Sequence, residues 1–351
     1  MVDFLPKSLE IYLTDKCNLR CSYCFLNKNG EDKLKFSHLK KIIDDFLIFP
    51  KLRTINFTGG EPLIRYGLLK RIIQYSLQEI KKKESKVSIN IITNVTFLEK
   101  EKKNFFEDNP IRLTFSLDGK RQTNDYYRKF KDNKESSVFK KVYKNIKRIK
   151  RDNVKVSLVF SSYTVNRLYE NIDFLIKEGF LNIDFFPIAY EVWTAEKLKE
   201  LNFALEKLLK KYSFLNSSYL TKLKNKEFGK DNFQCSKFIL SADGNFYFCE
   251  KVLMLNSKDR QRYAIGNVNL GIDILLREIL LREARLQILK LTERKCFSCP
   301  LKRYCFCPIG LYLYCSYFKK DFKDYFKSFC SISKIYISNF LKVVFNKKEV
   351  N

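Results

Sequence analysis

Short runs in which apolar and β-branched residues alternate or crowd together recur through the first half of the chain: Leu9 to Thr14, Thr54 to Thr58, Val87 to Thr93, Arg112 to Asp118, Val154 to Ser161 and Asn182 to Ile188. Runs of this length and pattern predict six β-strands. Between them apolar positions recur every three to four residues. The clearest cases are Leu39, Ile42, Ile43, Phe46 and Leu47, with Ser37 as the predicted cap, and Leu68, Leu69, Ile72, Ile73 and Ile80. Each predicts a helix with one apolar face. Strict alternation of strand and helix implies a parallel sheet. Six units are too few for an eight-stranded barrel, so the expected fold is α/β, a partial (β/α)6 TIM-like barrel over residues 1–192 with its chemistry at the carboxyl ends of the strands.

Past residue 192 the strand pattern stops. A Lys- and Leu-rich helix is predicted from Thr194 to Tyr212, followed by a polar stretch from Asn216 to Asn232, so residues 193–232 read as a helical bridge. Eight cysteines then fall between Cys235 and Cys330, in a segment of weaker periodicity. Residues 233–334 read as a second, metal-organised domain. The last segment, 335–351, carries Ile335, Ile337, Phe340, Leu341 and Val344 and then lysines, the pattern of a packing helix with a frayed end rather than a membrane anchor.

Composition narrows the chemistry. The first ten residues carry no secretory signal, and no apolar run approaches the length needed to span a membrane, so a cytoplasmic location is expected. In a reducing compartment eleven cysteines point to metal ligation rather than disulfides. His38 is the only histidine, which excludes the common His-based zinc and non-haem iron sites; it is expected on a solvated helix start. The formal charge of +28 raises nucleic acid, anionic membrane or an acidic polypeptide as partners. Lysines are spread over nearly every predicted helix, however, and no basic stripe with interleaved aromatics stands out, so the charge is read as solvated faces.

Cys17-x3-Cys21-x2-Cys24 follows the first predicted strand directly, and three thiolates in one loop leave one iron of an iron–sulfur cluster open to a small molecule. Loop cysteines or a zinc site are the alternatives. The second strand ends in Thr58-Gly59-Gly60-Glu61-Pro62, where two glycines let backbone approach a ligand and a carboxylate can accept hydrogen bonds from an amine. The two motifs in this order resemble the signature of the radical S-adenosylmethionine (SAM) superfamily. That resemblance implies that SAM's amino and carboxylate groups take the open iron and that Gly59, Gly60 and Glu61 lie at its methionine amine. It also implies SAM contacts at Thr93-Asn94 after strand three and at Ser116 to Gly119 after strand four, with Ser116 near the ribose and Arg128 paired with the SAM carboxylate. Relatives often carry a histidine where this chain has Asn124. For Asp118 and Asp125, turn formation and helix capping weigh equally with ligand contact.

In the second half, Phe238 to Ala242, Asp243-Gly244 and Asn245 to Cys249 predict a β-hairpin with a two-residue turn, which sets Cys249 opposite Phe238 and close to Cys235. The spacing Cys235-x8-Gly244-x4-Cys249, with Gly266-Asn267 downstream, resembles the start of a SPASM domain, the auxiliary-cluster module of radical SAM peptide and protein maturases. Cys296-x2-Cys299-x5-Cys305 and Cys330 resemble its remainder, although a cysteine expected at position 309 is Ile309, with Cys307 and Cys315 to either side. By that resemblance Cys296, Cys299, Cys305 and Cys330 hold a distal cluster, and Cys235 and Cys249 with Cys307 or Cys315 hold one nearer the active site. A structural zinc ribbon is the alternative. Glu250 occupies the place where sulfatase maturases carry an acidic residue that takes a proton from the substrate, and is a candidate general base if burial raises its pKa; a solvated or salt-bridged glutamate is the plainer reading.

The resemblance thus implies a radical SAM/SPASM maturase with one SAM-binding and two auxiliary 4Fe–4S clusters. It would abstract hydrogen from a ribosomal peptide to install a crosslink or oxidised residue. Strand one opens almost at Met1, so no leader-recognition domain is expected ahead of it, and a separate leader-recognition protein is a further implied partner. An electron donor such as flavodoxin or ferredoxin is another. The competing readings are sulfatase-maturase-like protein oxidation, action on a small molecule or RNA, and a non-catalytic iron–sulfur or zinc protein. Sulfatase maturases carry an extra cysteine before the hairpin, and residues 225–234 contain none.

Overall fold

The computed structural model of the protein describes residues 6–28, 30–132, 136–150, 152–188, 190–212, 215, 217–224 and 235–345. The part of the expected bridge at 225–232 and the lysine-bearing tail from 346 lie outside the described residues. In chain order the elements are β1 (Ser8–Tyr12), α1 (Phe36–Phe46), β2 (Thr54–Thr58), α2 (Tyr66–Lys82), β3 (Ser88–Thr93), α3 (Lys100–Glu107), β4 (Ile111–Ser116), α4 (Arg121–Tyr127), α5 (Val138–Ile146), β5 (Val154–Phe160), α6 (Leu168–Lys177) and β6 (Ile183–Pro187). They are followed by α7 (Ala195–Lys211), α8 (Ser218–Lys224), β7 (Lys237–Leu240), β8 (Asn245–Tyr247), α9 (Ser257–Arg260), β9 (Ala264–Asn267), β10 (Gly271–Ile272), α10 (Ile274–Leu291), α11 (Lys295–Ser298), α12 (Ile309–Tyr317) and α13 (Phe322–Phe345). The six expected strands are the first six observed, each end within two residues. This is the strand-helix repeat of a partial barrel.

The chain divides into two compact units, one built from Met1–Phe115, Arg128–Asn153 and Cys235–Glu283 and the other from Ser116–Tyr127, Val154–Gln234 and Ala284–Asn351. In the first, β1 to β4 pair in parallel and in chain order. Leu9, Ile11, Ile55 and Phe57 are fully buried, as expected where both faces of a parallel sheet are covered. The sheet also grows from the other side of β1. There β7 pairs with β1 in parallel, and β8, β9 and β10 follow as antiparallel neighbours. Phe46 of α1 packs over this extension, 5.8 Å from the Phe238 ring and 6.1 Å from Phe246.

Two local expectations are corrected. Helix α1 starts at Phe36 with Lys35 as its cap, so Ser37 lies inside the first turn. His38 is half-buried, and its Nδ1 accepts from the Lys35 N–H at 3.4 Å, satisfying one of the N–H groups that a helix start leaves open. The β7–β8 loop is one residue longer than the predicted two-residue turn: the Gly244 N–H donates to the Ser241 carbonyl, and Gly244 stands at φ +85°. A turn closed by a left-handed glycine is the three-residue hairpin type. It pairs Leu240 with Phe246 and Ile239 with Tyr247, and carried onward that register brings Cys249 level with Lys237 instead of Phe238.

In the second unit β5 and β6 form a parallel pair, and β5 alternates buried and half-buried positions along its length. Helix α13 is much longer than its expected C-terminal stretch. Its Tyr336 hydroxyl donates to the Phe185 carbonyl, and the rings of Tyr336 and Phe340 lie 5.8 and 5.9 Å from Phe185. Among the described residues no helix is long and apolar enough to cross a membrane.

Candidate cofactor and metal sites

Cys17, Cys21 and Cys24 sit in the loop that leaves β1. The loop is clipped to the segment after α4 by backbone hydrogen bonds, Arg20 N–H to the Lys129 carbonyl at 2.8 Å and Lys131 N–H to the Asn18 carbonyl at 2.9 Å. Burial pushes the Cys17 thiol up; Lys28 and the Leu19 N–H, which donates to Cys17 Sγ at 3.3 Å, pull it down, and Cys24 adds repulsion. Cys17 and Cys24 thus share one electrostatic neighbourhood.

Gly59 and Gly60 are required by how closely the β2 loop approaches the cysteine loop. A Cβ on Gly60 would meet the Lys16 carbonyl oxygen at 2.1 Å, and Gly59 stands at φ +139° with the Thr14 oxygen at 2.4 Å from any Cβ. Glu61 is fully buried, and its carboxylate points into the protein. It accepts from Leu63 N–H at 3.0 Å, Thr93 Oγ1 at 2.7 Å and Asn94 N–H at 2.7 Å. Burial nonetheless raises its carboxyl to about 7 against those three bonds. The Asn94 side chain donates to Asn18 Oδ1 at 2.9 Å and lies 3.8 Å from Cys17 Sγ, while its oxygen accepts from Thr96. Between them Val95 is held at φ +66° and fully buried. A β-branched residue there is strained by about 1–3 kcal/mol, and nothing in the sequence pattern signals it.

Arg128 is 6% exposed, and its guanidinium lies 5.5 Å from the Tyr23 ring in the cysteine loop. In the second unit, Ser116 ends β4 and is half-buried. Asp118 is fully buried, and its carboxylate accepts from the Val159 N–H at 2.9 Å. Asn124 Oδ1 in turn accepts from the Asp118 N–H at 3.2 Å. Asp118 and Asn124 therefore build the turn. Asp125 lies 3.6 Å from Arg121.

Cys235 and Cys249 belong to the first unit, flanking the hairpin. Burial, with Cys235 adding repulsion, pushes the Cys249 thiol up to about 12. The buried Arg277 donates to the Cys235 carbonyl. Glu250 is ion-paired with Lys251 at 3.2 Å and Lys237 at 3.4 Å. The Lys237 charge, then that of Lys251, holds its carboxyl well below the usual carboxylate range, the opposite of what a general base needs.

Cys296, Cys299, Cys305 and Cys330 all lie in the second unit and perturb one another. Burial first, then Cys330, raises Cys296 to about 11; burial raises Cys305 to about 11, with Cys330, Cys296 and Cys299 adding to it. Cys315 is different. Burial raises it to about 11 and Asp321 adds, with no cysteine among its perturbing neighbours. Cys307 is exposed, and no cysteine of the chain is in a disulfide.

Among the described residues no three His, Cys, Asp or Glu side chains converge as holders of a single metal ion. One ion needs all its donors within a bond length of a single point, as in a zinc site. A multi-iron cluster spreads its thiolates over several irons, and its positive charge relieves both burial and mutual thiolate repulsion. Sets of cysteine thiols without histidine are the donors that 4Fe–4S clusters take.

Two further features escaped sequence reasoning. A polar ladder crosses four parallel strands: Asn56 Nδ2 donates to Glu10 Oε1 at 2.8 Å, Asn90 Nδ2 to Asn56 Oδ1 at 2.8 Å and Thr114 Oγ1 to Asn90 Oδ1 at 3.0 Å. Its only signal was a polar residue at matching positions of apolar strands. Arg260, 2% exposed, ties Asp15 before the cysteine loop to Asp243 in the hairpin loop, at 3.2 Å to each.

The radical SAM superfamily pattern matches residues 11–186. An uncharacterized protein of Methanocaldococcus jannaschii, MJ0907, is 29% identical over 75% of this chain and 96% of its own length. A GTP 3′,8-cyclase of Clostridium perfringens is 32% identical over 43% of this chain, which spans only 45% of that enzyme. Among solved structures, native anSMEcpe, an anaerobic sulfatase-maturating enzyme, with bound AdoMet and the Kp18Cys peptide superposes with a TM-score of 0.72 at 16% identity, covering 97% of this chain and 99% of that one. With half of its length matched by the family pattern and its fold shared from end to end with such an enzyme, this chain belongs to the radical SAM superfamily, whose members use a 4Fe–4S cluster and SAM.

Proposed function

We propose that the protein is a radical SAM maturase that modifies a peptide or protein through hydrogen abstraction, with Cys17, Cys21 and Cys24 holding the SAM-binding cluster. When bound, the cluster and SAM supply one-electron reductive cleavage to a 5′-deoxyadenosyl radical. The chain's own residues position that chemistry. Because the Glu61 carboxylate is engaged by Leu63, Thr93 and Asn94, reception of SAM's ammonium falls to the backbone carbonyls of Gly59 and Gly60, and Glu61 acts by fixing the ends of β2 and β3. Arg128 is the cation for the SAM carboxylate. Cys296, Cys299, Cys305 and Cys330 hold one auxiliary cluster of a SPASM-type domain, with residues 233–334 as that domain; Cys235 and Cys249 belong to the other.

The eight cysteines between Cys235 and Cys330, enough thiolates for two auxiliary clusters, carry the maturase reading. The peptide in the superposed enzyme supports it. A nucleotide substrate is the second reading, supported by the GTP 3′,8-cyclase similarity over the first part of the chain. Anaerobic iron and sulfide counting tests the maturase reading: about twelve irons per chain are expected for three clusters, and about four, or zinc, would overturn it.

A further inference from the structure

A pocket of about 710 Å³ opens in the first unit between α3 and α5, lined by Lys100, Lys103 and Asn104 from one helix and Lys141, Lys144, Asn145 and Arg148 from the other and the loop after it. Positions i, i+3 and i+4 of α3 face i, i+3, i+4 and i+7 of α5 and its extension, so each helix presents one face to the pocket. The lining carries five cationic side chains against one acid. That acid, Glu99, is already paired with Lys102 at 2.5 Å, and Lys103 with Glu107 at 2.6 Å. Among the described residues Lys100, Lys141, Lys144 and Arg148 make no ion pair. Four uncompensated charges around one concavity form a field that attracts an acidic partner and that salt weakens.

The pocket is also wired to the cysteine loop. Thr96 lines it, and Thr96 Oγ1 accepts from Asn18 Nδ2 at 2.8 Å, next to Cys17. Asn145 lines it too and holds the loop after β3, to which Thr96 belongs, by donating to the Val95 carbonyl at 2.7 Å. Asn94, bonded to both Asn18 and Thr96, lies 3.8 Å from Cys17 Sγ. An electron must be delivered close to the thiolates, whereas a remote segment of substrate has no such need.

We propose that this pocket is the docking face for an acidic one-electron carrier protein that reduces the cluster at Cys17, Cys21 and Cys24. The step moves one electron and no atoms: the reduced carrier loses it and the oxidised cluster gains it. The proposal rests on the reading of those cysteines as a cluster site, so docking and turnover are measured separately.

The test compares wild type with the triple variant Lys141→Gln, Lys144→Gln, Arg148→Gln, using an acidic flavodoxin as the carrier. Binding is read by calorimetry with oxidised flavodoxin, which needs no turnover. Turnover is read as 5′-deoxyadenosine formed with reduced flavodoxin or with dithionite. The expected result is flavodoxin affinity and flavodoxin-driven kcat/KM lower by about tenfold or more, with a flattened salt dependence, while the dithionite-driven rate stays within about twofold. Lys141→Arg with Lys144→Arg retains wild-type behaviour. Unchanged flavodoxin binding overturns the proposal, as does an equal fall with both reductants. So does selective loss of binding to a polyglutamate peptide or to RNA with flavodoxin unaffected. Wild-type protein that binds flavodoxin yet makes no 5′-deoxyadenosine with either reductant refutes the cluster reading instead.

Discussion

Replacing Glu61 by glutamine tests whether that carboxylate is a buried strut. In the folded protein its carboxyl rises from the usual 4.5 to about 7, because burial outweighs the hydrogen bonds from Asn94, Thr93 and Leu63. A carboxyl whose folded pKa lies above its unfolded one stabilises most below pH 4.5, and that contribution is lost as pH rises through 7. At about 1.4 kcal/mol per pH unit, the wild-type side chain loses about 2–3 kcal/mol of stability between pH 5 and pH 8. Glutamine resembles the protonated acid and does not titrate. It also turns an amide toward the Asn94 N–H, a fixed cost of about 1–3 kcal/mol at every pH. Urea unfolding of the iron-free chain, followed by circular dichroism, should therefore show Glu61→Gln gaining about 2–3 kcal/mol on wild type from pH 5 to pH 8. Other titrating groups cancel in the difference. A difference constant to within about 0.5 kcal/mol, or one moving the other way, would refute the reasoning.

Three more outcomes are expected. Gly60→Ala drives a Cβ into the Lys16 carbonyl, so iron content should fall by about four atoms per chain and 5′-deoxyadenosine formation by more than about tenfold. Cys330→Ser should lower iron from about twelve to about eight per chain while leaving SAM cleavage measurable, whereas Cys315→Ser, beside Asp321 rather than another cysteine, should leave the count unchanged. Glu250→Gln should reduce product formation by less than about tenfold and remove no limb of the pH–rate profile between pH 5 and 9, since Lys237 and Lys251 keep that carboxyl ionised throughout the range.

The strands of the barrel were legible because apolar alternation is a local property, and their ends were found to within two residues. The sheet's extension through β7 to β10 was not, since pairing between Leu9 and Phe238 leaves no trace in either segment alone. The hairpin register slipped by one because Asp243-Gly244 reads equally as a two-residue turn or as the end of a three-residue one, and only the φ of Gly244 separates them. At the site, the cysteines and glycines were legible from spacing. The inward turn of Glu61 and the strain at Val95 were not, because both depend on how the ends of β2 and β3 meet. Lys100 and Lys144 looked like separate solvated positions until folding set their helices face to face.

The central claim is that the loop after β1 makes a radical from SAM. The most direct measurement is 5′-deoxyadenosine produced by the anaerobically reconstituted protein with SAM and dithionite. The account predicts steady formation by wild type, abolished in the triple variant Cys17→Ala, Cys21→Ala, Cys24→Ala, with about eight irons per chain retained there. Formation that survives loss of those three cysteines, or none from fully loaded wild-type protein, would contradict it.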